Sequence, residues 1–150
     1  MKTLLQRVAR AEVRVEGEVV GRIEKGVVLL VGVEKGDGED DATATARKVA
    51  ALRIFPGRTP MDLTLHDVGG ACLVVSQFTL AGSLKKGNRP GFDKAEDPQR
   101  AEALYLAVAR GLAEYDLEVA TGRFAALMEV DLVNDGPVTF LLEVRDGRVI

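Results

Sequence analysis

The chain has 150 residues, of which 47% are apolar and 29% charged, and its formal net charge is −3. This length and composition predict a single globular domain, residues 1–150, with its own apolar core. The acidic balance argues against a protein that coats nucleic acid through general electrostatics, because that mode needs many basic contacts to phosphates.

The chain has one cysteine, Cys72, and one histidine, His66. A lone cysteine cannot form an internal disulfide, and the pair is too small for a zinc site. A carboxylate-only metal site is possible, but nothing in the sequence points to one, so we expect no metal and no cofactor. Cys72 lies in an apolar run and is expected to be a small core residue. His66 lies in a turn-like segment, where a surface position is expected.

The N-terminal apolar run is interrupted at Gln6 and Arg7. It therefore does not resemble a signal peptide, and no other segment is long and apolar enough to span a membrane. We expect a cytoplasmic protein without membrane contacts.

Charge is distributed unevenly along the chain. Residues 34–41, "EKGDGEDD", carry five acids and one lysine, for a net charge of −4. Residues 85–94, "KKGNRPGFDK", carry four bases and one acid, for a net charge of +3. We expect the acidic run to be a solvated loop, whereas the basic run could bind a local anion.

Periodicity predicts strands at both ends of the chain and two helices between them. Residues 3–33 alternate and contain turn glycines, which indicates three antiparallel strands. Residues 39–54 and 97–115 have helical apolar spacing, and Asp97 and Pro98 are a typical N-cap and first residue for the second helix. Further strands are predicted in residues 71–81 and in three segments after the second helix, "LEVATGRF", "ALMEVDLV" and "VTFLLEV".

This order of elements predicts an α+β fold. We expect curled, mainly antiparallel, barrel-like sheets with two main helices packed against them.

Polar residues follow the predicted buried strand "ACLVV". Ser76, Gln77 and Thr79 could line a pocket at the strand end, or could simply hydrogen-bond neighbouring backbone. A serine or threonine nucleophile would need an adjacent base, and the sequence offers no evident one.

The stretch "LVNDGPVTF", residues 132–140, places glycine and proline between two apolar runs. Proline is normally excluded from central strands because it cannot donate a ladder hydrogen bond. On local grounds Asn134, Asp135 and Gly136 would form a hairpin turn, with Pro137 beginning the returning strand.

Several motifs together resemble the D-aminoacyl-tRNA deacylase family, in the same order and at the same spacings over nearly the whole chain. They are "QRV" (6–8), "VEGEVVG" (15–21), "SQFTL" (76–80), "KGNRP" (86–90), "TGRFAA" (121–126) and "LVNDGPVTF" (132–140). The resemblance implies a homodimer that hydrolyses the ester linking a D-amino acid, or glycine, to the 3′ end of tRNA.

In this family the Gly-Pro bond is cis, and the motif enters the active site of the partner protomer. The resemblance therefore implies that the carbonyls of Gly136 and Pro137 reject L-aminoacyl groups by steric collision. It also implies supporting roles for Arg7, which would lock the motif, and for Asn134 and Met128. From the sequence alone, Arg7 could equally be a solvated charge on an edge strand.

The resemblance further implies that Ser76, Gln77, Phe78 and Thr79 form the catalytic segment. Backbone N–H groups around residues 77–79 would bind the oxyanion, and water would be positioned by Thr79 or by the substrate 2′-hydroxyl. We favour the second route because Thr79 lacks an evident base.

Adenine would stack near Phe78, and Lys85, Lys86 and Arg89 would contact phosphates of the acceptor end. The expected partner is aminoacylated tRNA, with no DNA. Two other functions remain open. A non-catalytic nucleic-acid-binding module would use residues 85–94, whereas a small-molecule esterase would be unusual without "GxSxG" and a placed histidine.

Overall fold

The structure is a computed structural model that describes residues 1–150. It contains seven strands, two α-helices and one short 3₁₀ helix. In chain order these are β1 Lys2–Val15, β2 Glu18–Ile23, β3 Gly26–Gly32, α1 Glu39–Ala51, β4 Ala71–Ser76, the 3₁₀ helix Phe78–Ala81, α2 Pro98–Ala113, β5 Glu118–Thr121, β6 Met128–Arg145 and β7 Arg148–Val149. No helix is both long and apolar enough to cross a membrane.

The strands form one curled sheet in the order β5-β4-β3-β1-β6-β7, with β2 also paired to β1. The long strand β1 runs antiparallel to β3 through residues 2–8, to β2 through residues 11–15, and to β6 along almost its whole length. Pairing between β3 and β4 and between β4 and β5 is parallel. The predicted α+β class with a mainly antiparallel curled sheet and two helices is confirmed.

Apolar cores lie on both faces of the sheet. Because successive strand residues point to opposite faces, Cys72 and Val74 of β4 join the larger core against the helices. Leu73 and Val75 join the smaller core inside the curl. Burial on both faces explains why this segment is an uninterrupted apolar run. Cys72 is fully buried, as predicted.

The two helices form where the periodicity predicted them. Helix α2 begins at Pro98, and the carboxylate of Asp97 accepts hydrogen bonds from the N–H groups of Gln99 and Arg100 at 3.2 and 3.3 Å. Its predicted apolar stripe is buried (Ala101, Leu104, Tyr105, Val108 and Leu112). Helix α1 ends at Ala51, three residues before the predicted end.

The acidic run 34–41 is not the solvated loop that we expected. Three of its acids, Glu34, Asp37 and Asp41, are buried. Asp37 accepts a hydrogen bond from the α-ammonium of Met1 at 2.8 Å, and Asp41 accepts one from the N–H of Gly147 at 2.9 Å. These acids are buried because the fold brings donors from both ends of the chain to them, which the local sequence does not show.

The stretch "LVNDGPVTF" does not form the predicted hairpin. It lies inside the single strand β6, where two separate strands were predicted. Val8 of β1 pairs with Asn134, and Gln6 pairs with Thr139. Residues 135–138 therefore lie opposite one β1 residue, Arg7, and form a bulge that interrupts the strand without reversing it.

Candidate active site

A cavity of about 520 Å³ lies where β4 ends. Its walls come from the end of β4, the 3₁₀ helix, the start of α2, the loop before β6 and the start of β6. Its lining includes Ser76, Gln77, Phe78, Glu96, Pro98, Phe124, Leu127 and Met128. A mostly apolar cavity with a few polar groups is typical of a small-ligand site. The prediction that polar residues after β4 line a pocket agrees with this geometry for Ser76 and Gln77.

The chain leaves the sheet immediately after Ser76. The N–H of Gln77 donates to the carbonyl of Val31 at 2.8 Å, extending the ladder with β3 by one residue. It is therefore not free to bind an oxyanion, which corrects the expectation for this residue. Phe78 and Thr79 open the 3₁₀ helix, so their N–H groups have no partner inside it, and neither donates to a loop or side-chain acceptor. Two neighbouring donors therefore remain available beside the cavity.

The side chain of Thr79 is exposed and lies beside the cavity lining. Its hydroxyl oxygen accepts a hydrogen bond from the side-chain amide of Gln77 at 2.5 Å. No histidine or carboxylate contacts this hydroxyl, and His66 is exposed in a separate turn, as predicted. An amide N–H can donate but cannot remove a proton, so Thr79 has no general base within hydrogen-bond distance.

Arg7 is 5% exposed and holds the bulge in β6 from beneath. Its Nε donates to the carbonyl of Asp135 at 3.2 Å, and its Nη1 donates to the carbonyl of Ile54 at 2.6 Å. The guanidinium also lies 5.9 Å from the centre of the Phe55 ring. Arg7 is therefore not a solvated charge on an edge strand, and that alternative from the sequence is wrong.

Gly136 has φ of +110°, a value that favours glycine. A Cβ at this position would collide with the Arg7 guanidinium, so the guanidinium packs directly against the glycine backbone of the bulge. The side-chain amide of Asn134 closes the bulge by donating to the carbonyls of Arg7 and Val138 at 2.8 and 3.2 Å. Gly136 and Pro137 themselves are exposed.

The cis bond expected before Pro137 is absent. The structure contains no cis peptide bond, so the Gly136–Pro137 bond is trans. Trans is the isomer ordinarily preferred before proline, by about 0.5–1 kcal/mol.

The cavity and the bulge are separate within one chain. Met128 lines the cavity, and Gly136 lies eight residues further along the same strand. The regular part of the strand runs from Met128 to Asn134, where the bulge begins, and at about 3.3 Å per residue it is roughly 20 Å long. The predicted site residues therefore form two clusters: residues 76–79 with Met128, and Arg7 with residues 134–137.

Lys85, Lys86 and Arg89 lie on an exposed loop after the 3₁₀ helix. The loop is closed by two backbone hydrogen bonds between Ser83 and Gly91, at 2.7 and 2.9 Å. The three basic side chains form no ion pair with any carboxylate. They are therefore available to an external anion, and their contact with tRNA stays a prediction.

Two parts of the cavity wall were not anticipated as site residues. Glu96 precedes α2, and its carboxylate accepts from the Asp97 N–H at 2.9 Å and from Arg100 Nε at 3.1 Å. Phe124 stacks on Tyr105 of α2 with ring centres 5.9 Å apart and fixes the loop before β6. The motif "TGRFAA" marked this loop, but nothing in its residue types indicated a cavity wall.

Comparisons with known proteins show which family the chain resembles over nearly its whole length. The family model described as D-Tyr-tRNA(Tyr) deacylase matches residues 4–143. A D-aminoacyl-tRNA deacylase from Anaeromyxobacter dehalogenans (strain 2CP-C) is 55% identical, over 97% of this chain and 98% of its own length.

Two solved structures share the fold. One, named c-Myc DNA Unwinding Element Binding Protein, has a TM-score of 0.89 and 36% identity, and the match covers 96% of this chain and 99% of that one. Another, a probable eukaryotic D-amino acid tRNA deacylase, has a TM-score of 0.79 at 16% identity over 93% of this chain and 97% of its own. By its match to the family model and its identity to the curated relative, the chain belongs to the D-aminoacyl-tRNA deacylase family, a family of hydrolases.

Proposed function

We propose that this chain hydrolyses the ester between a D-amino acid and the 3′ end of tRNA, releasing both, and that it does so in the cytoplasm. The observation that carries this proposal is 55% identity to a D-aminoacyl-tRNA deacylase over 97% of the chain. The cavity beside the free N–H groups of Phe78 and Thr79 supports it, because ester hydrolysis needs donors for a developing oxyanion.

The chemistry that we propose requires little from the protein. Water attacks the ester carbonyl, and the oxyanion is stabilised by the N–H groups of Phe78 and Thr79. The bond to the ribose 3′-oxygen then breaks, and that oxygen receives the proton that the water has lost. Since Thr79 contacts no base, the neighbouring 2′-hydroxyl of the terminal adenosine orients the water and relays the proton.

Chirality is selected, in this proposal, by the backbone of Gly136 and Pro137 from a second copy of the chain. Their carbonyls would lie against the substrate Cα, where an L side chain collides and a D side chain points away. Three observations support this role: the segment is exposed, Arg7 and Asn134 hold it by hydrogen bonds, and it begins roughly 20 Å along the strand from its own cavity.

If Gly136 and Pro137 of a second copy select the chirality of the substrate, the active protein must be a homodimer. Residues 128–139 of β6 have no strand partner on their outer edge. The same strand carries exposed apolar side chains, namely Val130, Val133, Phe140 and Leu141. An unpaired strand with an apolar surface is suited to a two-fold interface.

At the cavity mouth, we propose that the terminal adenine packs against Phe78 while Lys85, Lys86 and Arg89 contact phosphates of the acceptor end. Proteins usually bind single-stranded RNA through exposed aromatic rings and nearby basic side chains that form no ion pair within the protein.

The test compares hydrolysis of D-tyrosyl-tRNA and L-tyrosyl-tRNA by the purified protein, with sedimentation of the same sample. We expect rapid release of D-tyrosine, retention of the L-ester, and a dimer. RNA binding without hydrolysis would instead favour a non-catalytic nucleic-acid-binding module. Hydrolysis of simple esters but not of either tRNA would favour a small-molecule esterase, and full activity as a monomer would exclude a selector from a second copy.

A further inference from the structure

Phe92 lies beside Phe78 at the mouth of the cavity. The two rings meet edge to face, with centres 5.2 Å apart and planes inclined by 60°. Phe78 lines the cavity, whereas Phe92 lies outside the lining. The pair therefore extends an aromatic surface from the cavity onto the outside of the molecule.

Both rings are more exposed than their chemistry favours, since Phe78 is 55% and Phe92 40% exposed. Exposed adjacent aromatic rings are a feature of surfaces that bind something. The Phe92 ring packs directly on the backbone of Gly82. A Cβ added to that glycine would lie only 3.0 Å from the ring. The hydrogen bonds between Ser83 and Gly91 fix the chain just before it.

The charge around the pair is complementary to a phosphate backbone. The loop between the two rings carries Lys85, Lys86 and Arg89, all exposed and without carboxylate partners. Residues 85–94 have a net charge of +3 in a chain whose total is −3. Aromatic rings for bases beside basic side chains for phosphates are the combination that binds single-stranded nucleic acid.

We propose that Phe92 is a positioning residue that stacks on the base of the unpaired nucleotide preceding the terminal adenosine of tRNA. This inference rests on the proposed function, which places the terminal adenosine at Phe78. The inclined planes of the two rings suit splayed, unstacked bases, as single-stranded RNA adopts on proteins. Phe92 thereby holds the 3′ end in line with the cavity without touching the reacting ester.

The experiment is a cycle of two changes on one D-tyrosyl-tRNA body. The enzyme is wild type or Phe92→Leu, which keeps an apolar side chain on Gly82, and the substrate has either an intact or an abasic nucleotide before the terminal adenosine. We expect either change alone to lower kcat/KM about tenfold, mainly through KM, and the second change to add almost nothing to the first. Tyr115→Leu, an equally exposed aromatic beyond the far end of α2, should have no effect.

If the reductions in kcat/KM caused by the two changes multiply, Phe92 only supports the position of the Phe78 side chain, and the proposal is overturned. An unaffected Phe92→Leu enzyme would overturn it too. A dimer that dissociates in this variant would show that a second copy of the chain covers the ring, which also overturns it. Wild-type enzyme that leaves the intact D-ester unhydrolysed would refute the proposed function itself, which distinguishes that failure from the others.

Discussion

Arg7 and Asp135 are 128 positions apart in the chain, yet Arg7 Nε donates to the Asp135 carbonyl at 3.2 Å and lies 3.3 Å from its carboxylate. The same arginine donates to the Ile54 carbonyl from its other side. One buried guanidinium therefore fixes the bulge that exposes Gly136 and Pro137.

Replacing Arg7 with lysine should loosen this bulge. Lysine keeps the charge but cannot reproduce the forked set of donors, so at least one buried carbonyl loses its partner, at a cost of about 1–3 kcal/mol. We expect lower stability in urea unfolding and a smaller ratio of D- to L-ester hydrolysis. Arg10→Lys, at an exposed position of the same strand, is the matched control. An unchanged D/L ratio would separate Arg7 from chiral selection.

Thr79→Ala should retain substantial activity, within about tenfold of wild type, because the Thr79 hydroxyl contacts only the Gln77 amide. An acyl-enzyme route predicts instead a loss of several orders of magnitude. Single-turnover rates on D-tyrosyl-tRNA distinguish the two. The complementary substrate ends in 2′-deoxyadenosine and should bind normally but react very slowly if the 2′-hydroxyl assists. Fast hydrolysis of that substrate would rule out assistance.

Glycyl-tRNA should be hydrolysed while L-alanyl-tRNA is spared. A selector that acts by collision with an L side chain has nothing to reject in glycine, whereas the single methyl of L-alanine meets the backbone carbonyls. A pocket that recognised D side chains through favourable contacts would treat glycine as a poor substrate. Glycyl-, D-alanyl- and L-alanyl esters compared on one tRNA body decide between the two. Equal resistance of the glycyl and L-alanyl esters would remove Gly136 and Pro137 from the selecting role.

Thr3→Val should stabilise the protein. The Thr3 side chain is fully buried, and its hydroxyl has no hydrogen-bond partner. Valine has nearly the same shape and removes an unsatisfied polar atom, so we expect a gain of about 1 kcal/mol in urea unfolding. Thr45→Val is the control, because that equally buried hydroxyl donates to Met1 Sδ at 3.4 Å. A loss of stability on replacing Thr3 would point to a partner for its hydroxyl.

Cys72 should be unreactive in the folded protein. Burial raises the pKa of its thiol from 9.0 to about 12, so at pH 8 the thiolate fraction falls from about one in ten to about one in ten thousand. An aromatic disulfide reagent that releases a coloured thiol on reaction should label Cys72 only after the protein is unfolded in urea. Because the folded pKa is the higher one, this thiol's contribution to stability is complete below pH 9 and is lost between about pH 9 and 12. Rapid labelling of native protein would contradict the burial.

Local chemistry determined much of this protein. Helix α2 was predictable because Asp97, Pro98 and the apolar stripe from Ala101 to Leu112 act within a few residues of one another. The buried strand β4 was equally predictable from its uninterrupted apolar run, whereas a pocket at Ser76 was one of two alternatives that the residues left open. Family motifs spread over the whole chain indicated the deacylase family before the fold was known.

Other features were decided only by the tertiary structure. Turn-forming residues 134–137 are compatible with either a hairpin or a bulge, and pairing of β6 with β1 on both sides of them selects the bulge. Likewise, Arg7 and Asp37 are charged residue types that normally lie at the surface. They are buried here because the fold supplies hydrogen-bond partners from distant segments. Burying a charge is costly unless such partners are present, and residues that meet only after folding leave no local signal of their pairing.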